Sequence, residues 1–553
     1  MTDDSRHDST LMRARVSRRR LLASASAATG AAALVLAGCR RSAAPPRTTP
    51  TPKAKRGGTL RTGTALPLSY GLDPHAERGT GLAICPRVYG YLHHVDMADE
   101  VQMDHAEHIE QLDALTYDFR LSDDVRFQDM APASGRAVTA DDVAASIARF
   151  RDHALVVDNM WHRTVLDQAT ALDSRTLRVT LRRPNVYALR NLGDIAGGAI
   201  LPREALESFQ DLRGGTAGSG PFSVQTADTT AQRWRIVRNP SYYRRGVPHL
   251  DAMEWRVFED DASKLAAFER HELDQVDHRD RSEAQFAQDT NADIELQTSP
   301  GLSWLSLGLR INAPPFEDPR VREAIDIAID RDALIRDIAP GGGTVLGPVN
   351  PHIADGFWAL AEDDVRRALE MDRSIDDRRV RARLLLGSAS AGGASFAISV
   401  PSIPRMIDLA TTVRDQLSRI GLDVRLEELD QTSWYFRFRR GSFQATLISH
   451  APYESPELPA RFYHSAGIDG TGNPFGLREP GLDELIERAE AEPDRNARRL
   501  VLQNAQVLMM GTRSMLQLFT SAGYSSAWKS VRNRRPEVIG SFAQYNYEQW
   551  LDA

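Results

Sequence analysis

INAPPFEDPRVREAIDIAIDR, Ile311 to Arg331, is the stretch on which the reading of this chain turns. Asp318 is placed to cap a helix, Pro319 takes the first helical position, where its missing N–H costs nothing, and Val321, Ala324, Ile325, Ala328 and Ile329 recur at helical spacing. The pattern continues through RDALI until Pro340 and three glycines stop it, so the spacing predicts one half-buried helix.

Other windows are as periodic. TADDVAASIARF has capping-box order in Thr139 and Asp142, with Val143, Ile147 and Phe150 on one stripe. Between Phe396 and Glu427 a strand, FAISV, precedes a helix with Met406, Leu409, Ala410, Val413, Leu417 and Ile420 on one face. Gly421 ends that helix, and Leu422, Val424 and Leu426 alternate as a second strand, a βαβ unit that predicts parallel pairing. TYDFRL, TLRVTL and RWRIV alternate as half-exposed strands, so the class is mixed α/β. No internal repeat is evident.

The first 38 residues read as an export signal. SRRRLL, Ser17 to Leu22, is a basic region with paired arginines of the twin-arginine type, and Leu21 to Leu36 is uncharged but too short and rich in small residues to span a membrane. Leu36-Ala37-Gly38-Cys39 matches a bacterial lipobox, which makes Cys39 the lipidated N-terminus of the mature chain. Arg40 to Arg56, seventeen residues with four prolines and no large apolar side chain, reads as a tether. At ~3.3 Å per residue it reaches roughly 50 Å.

Removing residues 1 to 38 takes away 6 of the 68 Lys and Arg and 3 of the 75 Asp and Glu, leaving 62 minus 72, a formal charge of −10. Such a surface argues against nucleic acid or anionic lipid as partners. With Cys39 lipidated, Cys85 has no cysteine to pair with, and a chain of this size needs no disulfide. Arginine outnumbers lysine 64 to 4, a codon-composition bias rather than a functional signal.

Four blocks together resemble family 5 extracytoplasmic solute-binding proteins, the oligopeptide- and dipeptide-binding type that feed ATP-binding-cassette importers. They are YDFRLSDDVRFQD…GRAVTADDVAASIARF, GSGPFSV…RWRIVRNPSYY, LGLRINAPPFEDPRVREAIDIAIDRDALI and VRDQLSRIGLDVRLEEL, in family order from about Gly57 to Trp528. The resemblance implies a two-lobed, type II periplasmic-binding-protein fold with solute held in the interlobe cleft. Lobe I would be residues 57–311 and 517–553, with an inserted subdomain near 100–195, and lobe II 312–516, after a signal at 1–38 and a tether at 39–56. LSLGLRIN and SMLQLFTSAGY would be the two crossings, and GSGPF a tight turn feeding RWRIV.

Enzyme signals are absent. GGGTVLGP, Gly341 to Pro348, lacks Gly-Lys-Ser/Thr and reads as a loop, and Ser219 has no glycine two places before it, so GSGPF is no nucleophile elbow. His93, His94, Asp96, His105, Glu107 and His108 lie within sixteen residues, a ligand set that suits zinc or nickel. The resemblance makes this stretch a surface strand and turn, so solvated polar surface is the preferred reading, with no metal and no cofactor.

For the solute, the resemblance points to Tyr89 and Tyr91 in lobe I, Trp304 before the crossing, Trp358 (with Phe357) beside the glycine loop, and His450, Tyr453 and Glu454 after ATLIS. Trp434 and Tyr435 read as helix core. Peptide-binding relatives carry a Trp where this chain has Ser449 and, where it has Pro452, an Asp that pairs with the peptide α-ammonium; Gly90 stands where many have Glu. A desolvated ammonium without a carboxylate is costly, so a peptide held in the usual way is disfavoured. The expectation is therefore a monomeric, lipid-anchored, non-enzymatic subunit of an importer, outside the cytoplasm, delivering a peptide-like or other small organic solute to a permease and its ATPase. The alternatives are a sensor of the same fold and a binder of a metal or metal chelate.

Overall fold

In the computed structural model, Asp318 accepts the N–H of Arg320 at 2.8 Å and starts the helix Pro319–Ala328. The helix does not run on to Pro340. Ile329 is extended (ψ 120°), Asp330 caps anew by accepting the N–H of Ala333 at 3.1 Å, and a second helix covers Arg331–Ile338. The break turns Arg331 inward, where it is fully buried. There it pairs with Asp326 and donates Nε to the carbonyl of Gln517 at 2.7 Å. Two capping aspartates in one apolar pattern are what divide it.

The structure describes residues 53–64, 71–76, 81–96, 99–152, 159–208, 212–228, 232–278, 280–450, 455–457, 459–468, 472–535 and 547–552. The export signal and Cys39 lie outside them. Ten strands form one sheet, in the order Asp423–Leu429, Ser395–Pro401, Ala445–His450, Ile294–Leu309, Met515–Trp528, Gln275–His278, Thr59–Thr64, Ala252–Val257, Arg233–Arg238 and Phe222–Asp228. The βαβ unit pairs in parallel as its pattern predicts, with Phe396 opposite Val424 and Ile398 opposite Leu426. Its helix, Pro404–Ser418, buries Met406, Leu409, Ala410, Val413 and Leu417.

The two long central strands, Ile294–Leu309 and Met515–Trp528, are antiparallel and belong to both halves of the sheet. Ile294 to Ser299 face Trp528 to Gly523, and Ser303 to Gly308 face Ser521 to Met515. Between Ser299 and Ser303 the register slips, a bulge that bends the pair. Asn350 Nδ2 holds this bend by donating to the carbonyls of Gly301 and Leu302, both at 2.9 Å, and a Cβ at Gly301 would lie 3.0 Å from the His352 ring.

A separate four-stranded antiparallel sheet, in the order Ala106–Gln111, Thr116–Leu121, Thr176–Leu181, Leu166–Ala171, carries the helix Ala140–Asp152. GSGPF turns under Val88, since a Cβ on Gly218 would lie 1.9 Å from the Val88 carbonyl. It feeds Phe222–Asp228 rather than RWRIV; that strand then hairpins into Arg233–Arg238. Among the described residues no helix is long and apolar enough to cross a membrane.

Candidate functional site

Where the central strands pass between the halves of the sheet, Trp304 lies opposite His450 on the neighbouring strand. Their rings stack at 4.3 Å and 9°, and Phe462 meets the His450 ring edge-on at 5.2 Å. Ser306 Oγ lies 2.7 Å from His450 Nε2 and fixes the ring's orientation. Trp304 and His450 are 1% and 4% exposed, so they form a closed wall rather than a rim. Tyr453 and Glu454, which follow directly, lie outside the described residues, as does Pro452.

Polar groups of the second long strand continue this wall. Thr520 Oγ1 accepts the N–H of Thr344 at 3.0 Å, and Arg405 donates to Ser521 Oγ at 2.7 Å. Ala522 N–H donates to the Gly342 carbonyl, so the glycine run is a loop that supports the strand. Burial lowers the His352 pKa, favouring a neutral ring beside Gly301. Sequence reasoning passed over Ser306, Phe462, Thr520 and Arg405. The legible signal was Ser306, a lone hydroxyl inside the apolar strand LSLGL, whose burial demands a partner.

Tyr89 and Tyr91 line a second hollow with Tyr242, Arg244 and Tyr547. Both are 1% exposed, and their hydroxyls donate to the carbonyls of Leu72 at 2.8 Å and Ile195 at 2.7 Å. Burial pushes both hydroxyls well up in pKa, so they stay neutral. Trp358 is 2% exposed among Leu302, Val349 and Leu502, under the guanidinium of Arg498, 5.1 Å from its ring centre. Phe357 packs edge-on against it. Trp434 is core, as its helix pattern implies, and donates Nε1 to Thr446 Oγ1 at 3.0 Å. Cys85 is buried.

The histidine-rich stretch differs from its reading as solvated surface. His93, His94 and His105 are buried, while Glu107 and His108 are exposed. His93 stacks on Phe119 at 5.7 Å and bonds the Leu189 carbonyl through Nε2 at 2.7 Å; burial lowers its pKa to about 4. A neutral imidazole with one ring nitrogen bonded packs as a core residue. Among the described residues no cluster of three or more metal-binding side chains forms.

His105 Nε2 also lies 2.7 Å from Ser219 Oγ, and Asp104 Oδ2 lies 3.6 Å from its Nδ1, an order reminiscent of a hydrolytic triad. The second distance is too long for a hydrogen bond. A Cβ on Gly90 would lie 1.8 Å from His105 Nε2 and 2.6 Å from Ser219 Oγ, so backbone occupies the approach a substrate would need. Asp104 is committed to Tyr243 and Arg244 instead. Burial pushes its carboxyl up, but His105 and Arg244 outweigh this and hold it well below the usual carboxylate range.

Residues 100–470 match the family described as bacterial extracellular solute-binding proteins, family 5. The glutathione-binding protein GsiB of Salmonella typhi is 29% identical over 254 residues, 44% of this chain and 46% of that protein. The chain thus spans about half the length of the curated relatives it matches. Among solved structures, DppA of Helicobacter pylori in complex with the peptide STSA superposes with a TM-score of 0.80 at 20% identity, over 90% of this chain and 99% of that one. AgaA of A. tumefacien R10 with agropinic acid gives 0.78 at 19% identity, with the same coverage. AppA of Bacillus subtilis with a nonapeptide gives 0.75 at 18%, over 91% and 100%. These likenesses fix the fold as the two-lobed type II binding-protein architecture, and the proteins that share it here are binders rather than enzymes. With the family match running through the four-stranded sheet, the helix Pro319–Ala328 and the strand that carries His450, the chain belongs to family 5 of the bacterial extracellular solute-binding proteins.

Proposed function

We propose that this chain is the lipid-anchored solute-binding subunit of an ATP-binding-cassette importer, closing two lobes on a small organic solute and presenting it, as a monomer, to a permease. The observation that carries the reading is the family match over residues 100–470, and the stacked, buried pair Trp304 and His450 at the passage of the two central strands, held by Ser306, marks the expected lobe II wall. Trp304, His450, Tyr453 and Glu454 would line the lobe II side of the cleft, with Tyr89 and Tyr91 backing the opposite wall and Trp358 bracing the bend. The bulge at Ser299–Ser303 would be where the lobes hinge.

GsiB is a glutathione-binding protein and AgaA holds agropinic acid, while in this chain Pro452 stands where peptide-binding relatives carry the carboxylate for a free α-ammonium. The favoured solute is accordingly peptide-like but neutral or blocked at its amine. Calorimetry with glutathione, Ser-Thr-Ser-Ala and N-acetyl-Ser-Thr-Ser-Ala tests this: acetylation should leave affinity unchanged or raise it. Micromolar binding that acetylation abolishes would return the free-amino peptide to first place. For the anchor, Cys39→Ser should move the protein out of the membrane fraction with its melting temperature unchanged. A variant that stays on the membrane would end that assignment.

A further inference from the structure

Away from the cleft, the inserted subdomain meets the other lobe along a polar seam. Glu490, near the end of the helix Pro480–Ala491, receives Arg183 at 2.7 Å and Asn185 Nδ2 at 3.0 Å on its carboxylate, and its carbonyl accepts the N–H of Val186 at 2.7 Å. Arg461 donates to Asn191, and the Arg498 guanidinium lies 5.5 Å from the Tyr187 ring centre. Arg183, Asn185, Tyr187, Asn191, Arg461 and Glu490 line a small hollow that Glu457 and Trp161 also line. Glu457 Oε2, the Tyr187 hydroxyl and the Trp161 indole N–H are buried there with no hydrogen-bond partner. The three residues are 6%, 6% and 4% exposed.

A carboxylate enclosed in this way must either be matched by charge or give the charge up. Arg190 and Arg461 draw its negative form, but Glu490 opposes it, Arg190 is already paired with Asp99 at 2.6 Å, and Arg183 is paired with Glu490. Tyr187, between Glu457 and Arg498, stays neutral because burial raises its pKa. We propose that the seam is a closing latch, in which Glu490 holds the subdomain against the opposite lobe and Glu457 takes up a proton from solvent as the lobes close. Burial, the largest influence on Glu457, pushes it up to about 7 in the arrangement seen here, taken in this proposal as the closed one, against a normal value of 4.5 when exposed. The closed state therefore binds the extra proton between those values, and closing strengthens as pH falls through 7.

The latch rests on the two-lobed capture reading, yet it can be tested without any solute. Noncanonical spin labels at Gln168 and Glu484, both exposed and on opposite sides of the seam, report the interlobe distance in the full chain. From pH 8 to pH 6 the closed-to-open ratio of the free wild type should rise about tenfold. Glu457→Gln should hold the low-pH ratio at both pH values, and Glu490→Gln should shift both towards open. A wild-type ratio indifferent to pH, or a pH response that survives Glu457→Gln, overturns the proton uptake; an unchanged distribution in Glu490→Gln overturns the holding role. If every candidate solute fails to bind while the distances respond as stated, the capture reading fails and the latch stands.

Discussion

Two cores of this molecule are built on different principles. Around the βαβ unit the interior is aliphatic, with Leu307, Leu309, Ile325, Ile398, Leu409, Val413 and Leu417 almost fully excluded from solvent. Its main ionic exception is the pair Arg331 and Asp326. Around the four-stranded sheet and the helix Ala140–Asp152, His75, His93, His94, His105 and His162 are buried instead, with His75 and His162 against Phe150 and His93 against Phe119, and Asp104 ties Tyr243, Arg244 and the N–H of Tyr91 together. Apolar burial is non-directional and tolerates changes of shape, whereas a buried polar group must find its partner. The first core is held by apolar volume, whereas in the second a polar cluster centred on Asp104 is set into apolar packing around Phe119, Leu177 and Val179.

The largest test of that contrast is Asp104→Ala, which strands Arg244 and Tyr243 and should cost about 3–5 kcal/mol in urea unfolding. A loss below 1 kcal/mol would mean that the network relaxes to water and carries no specificity. Leu409→Ala, in the aliphatic core, should cost about 3 kcal/mol. That loss should be the same at pH 7.5 and pH 5.5.

Acid should separate the cores further. Burial lowers His93 to about 4 and His162 to about 3, against 6.5 when unfolded. Both chains are neutral above 6.5; below it the unfolded state binds protons that the folded state refuses, so stability falls with pH until about the folded values. Each histidine should contribute up to about 1.4 kcal/mol per pH unit in that window. His93→Gln should remove one such share, and an unchanged slope would show that the ring is solvated. The smallest effect belongs to Leu384→Ala, 70% exposed on the helix Ile375–Ser388, which should stay within about 0.5 kcal/mol.

The same contrast explains what could be read from the chain alone. The βαβ unit, the capped start at Asp318 and the helix after Thr139 were legible because hydrophobic period and capping chemistry are local. The second cap at Asp330 was present in the same letters but was masked by apolar residues that kept helical spacing across the break. His93 and His105 were read as surface because imidazoles among carboxylates suggest solvent; their partners, Leu189 and Ser219, lie about a hundred residues on. The stacking of Trp304 on His450 was illegible for a similar reason. Each was a candidate alone, but only strand register, across 146 residues of sequence, makes them one surface.

The strand Met515–Trp528 has a consequence for how the chain is made. It pairs with Gln275–His278 and with Ile294–Leu309, strands that leave the ribosome more than two hundred residues earlier. Until Met515–Trp528 has been made, those two have an open slot between them, a template for pairing with other chains. A chain stopped before Met515 would lack a central strand of its own sheet, and until that strand is made its place can be taken by a neighbouring molecule.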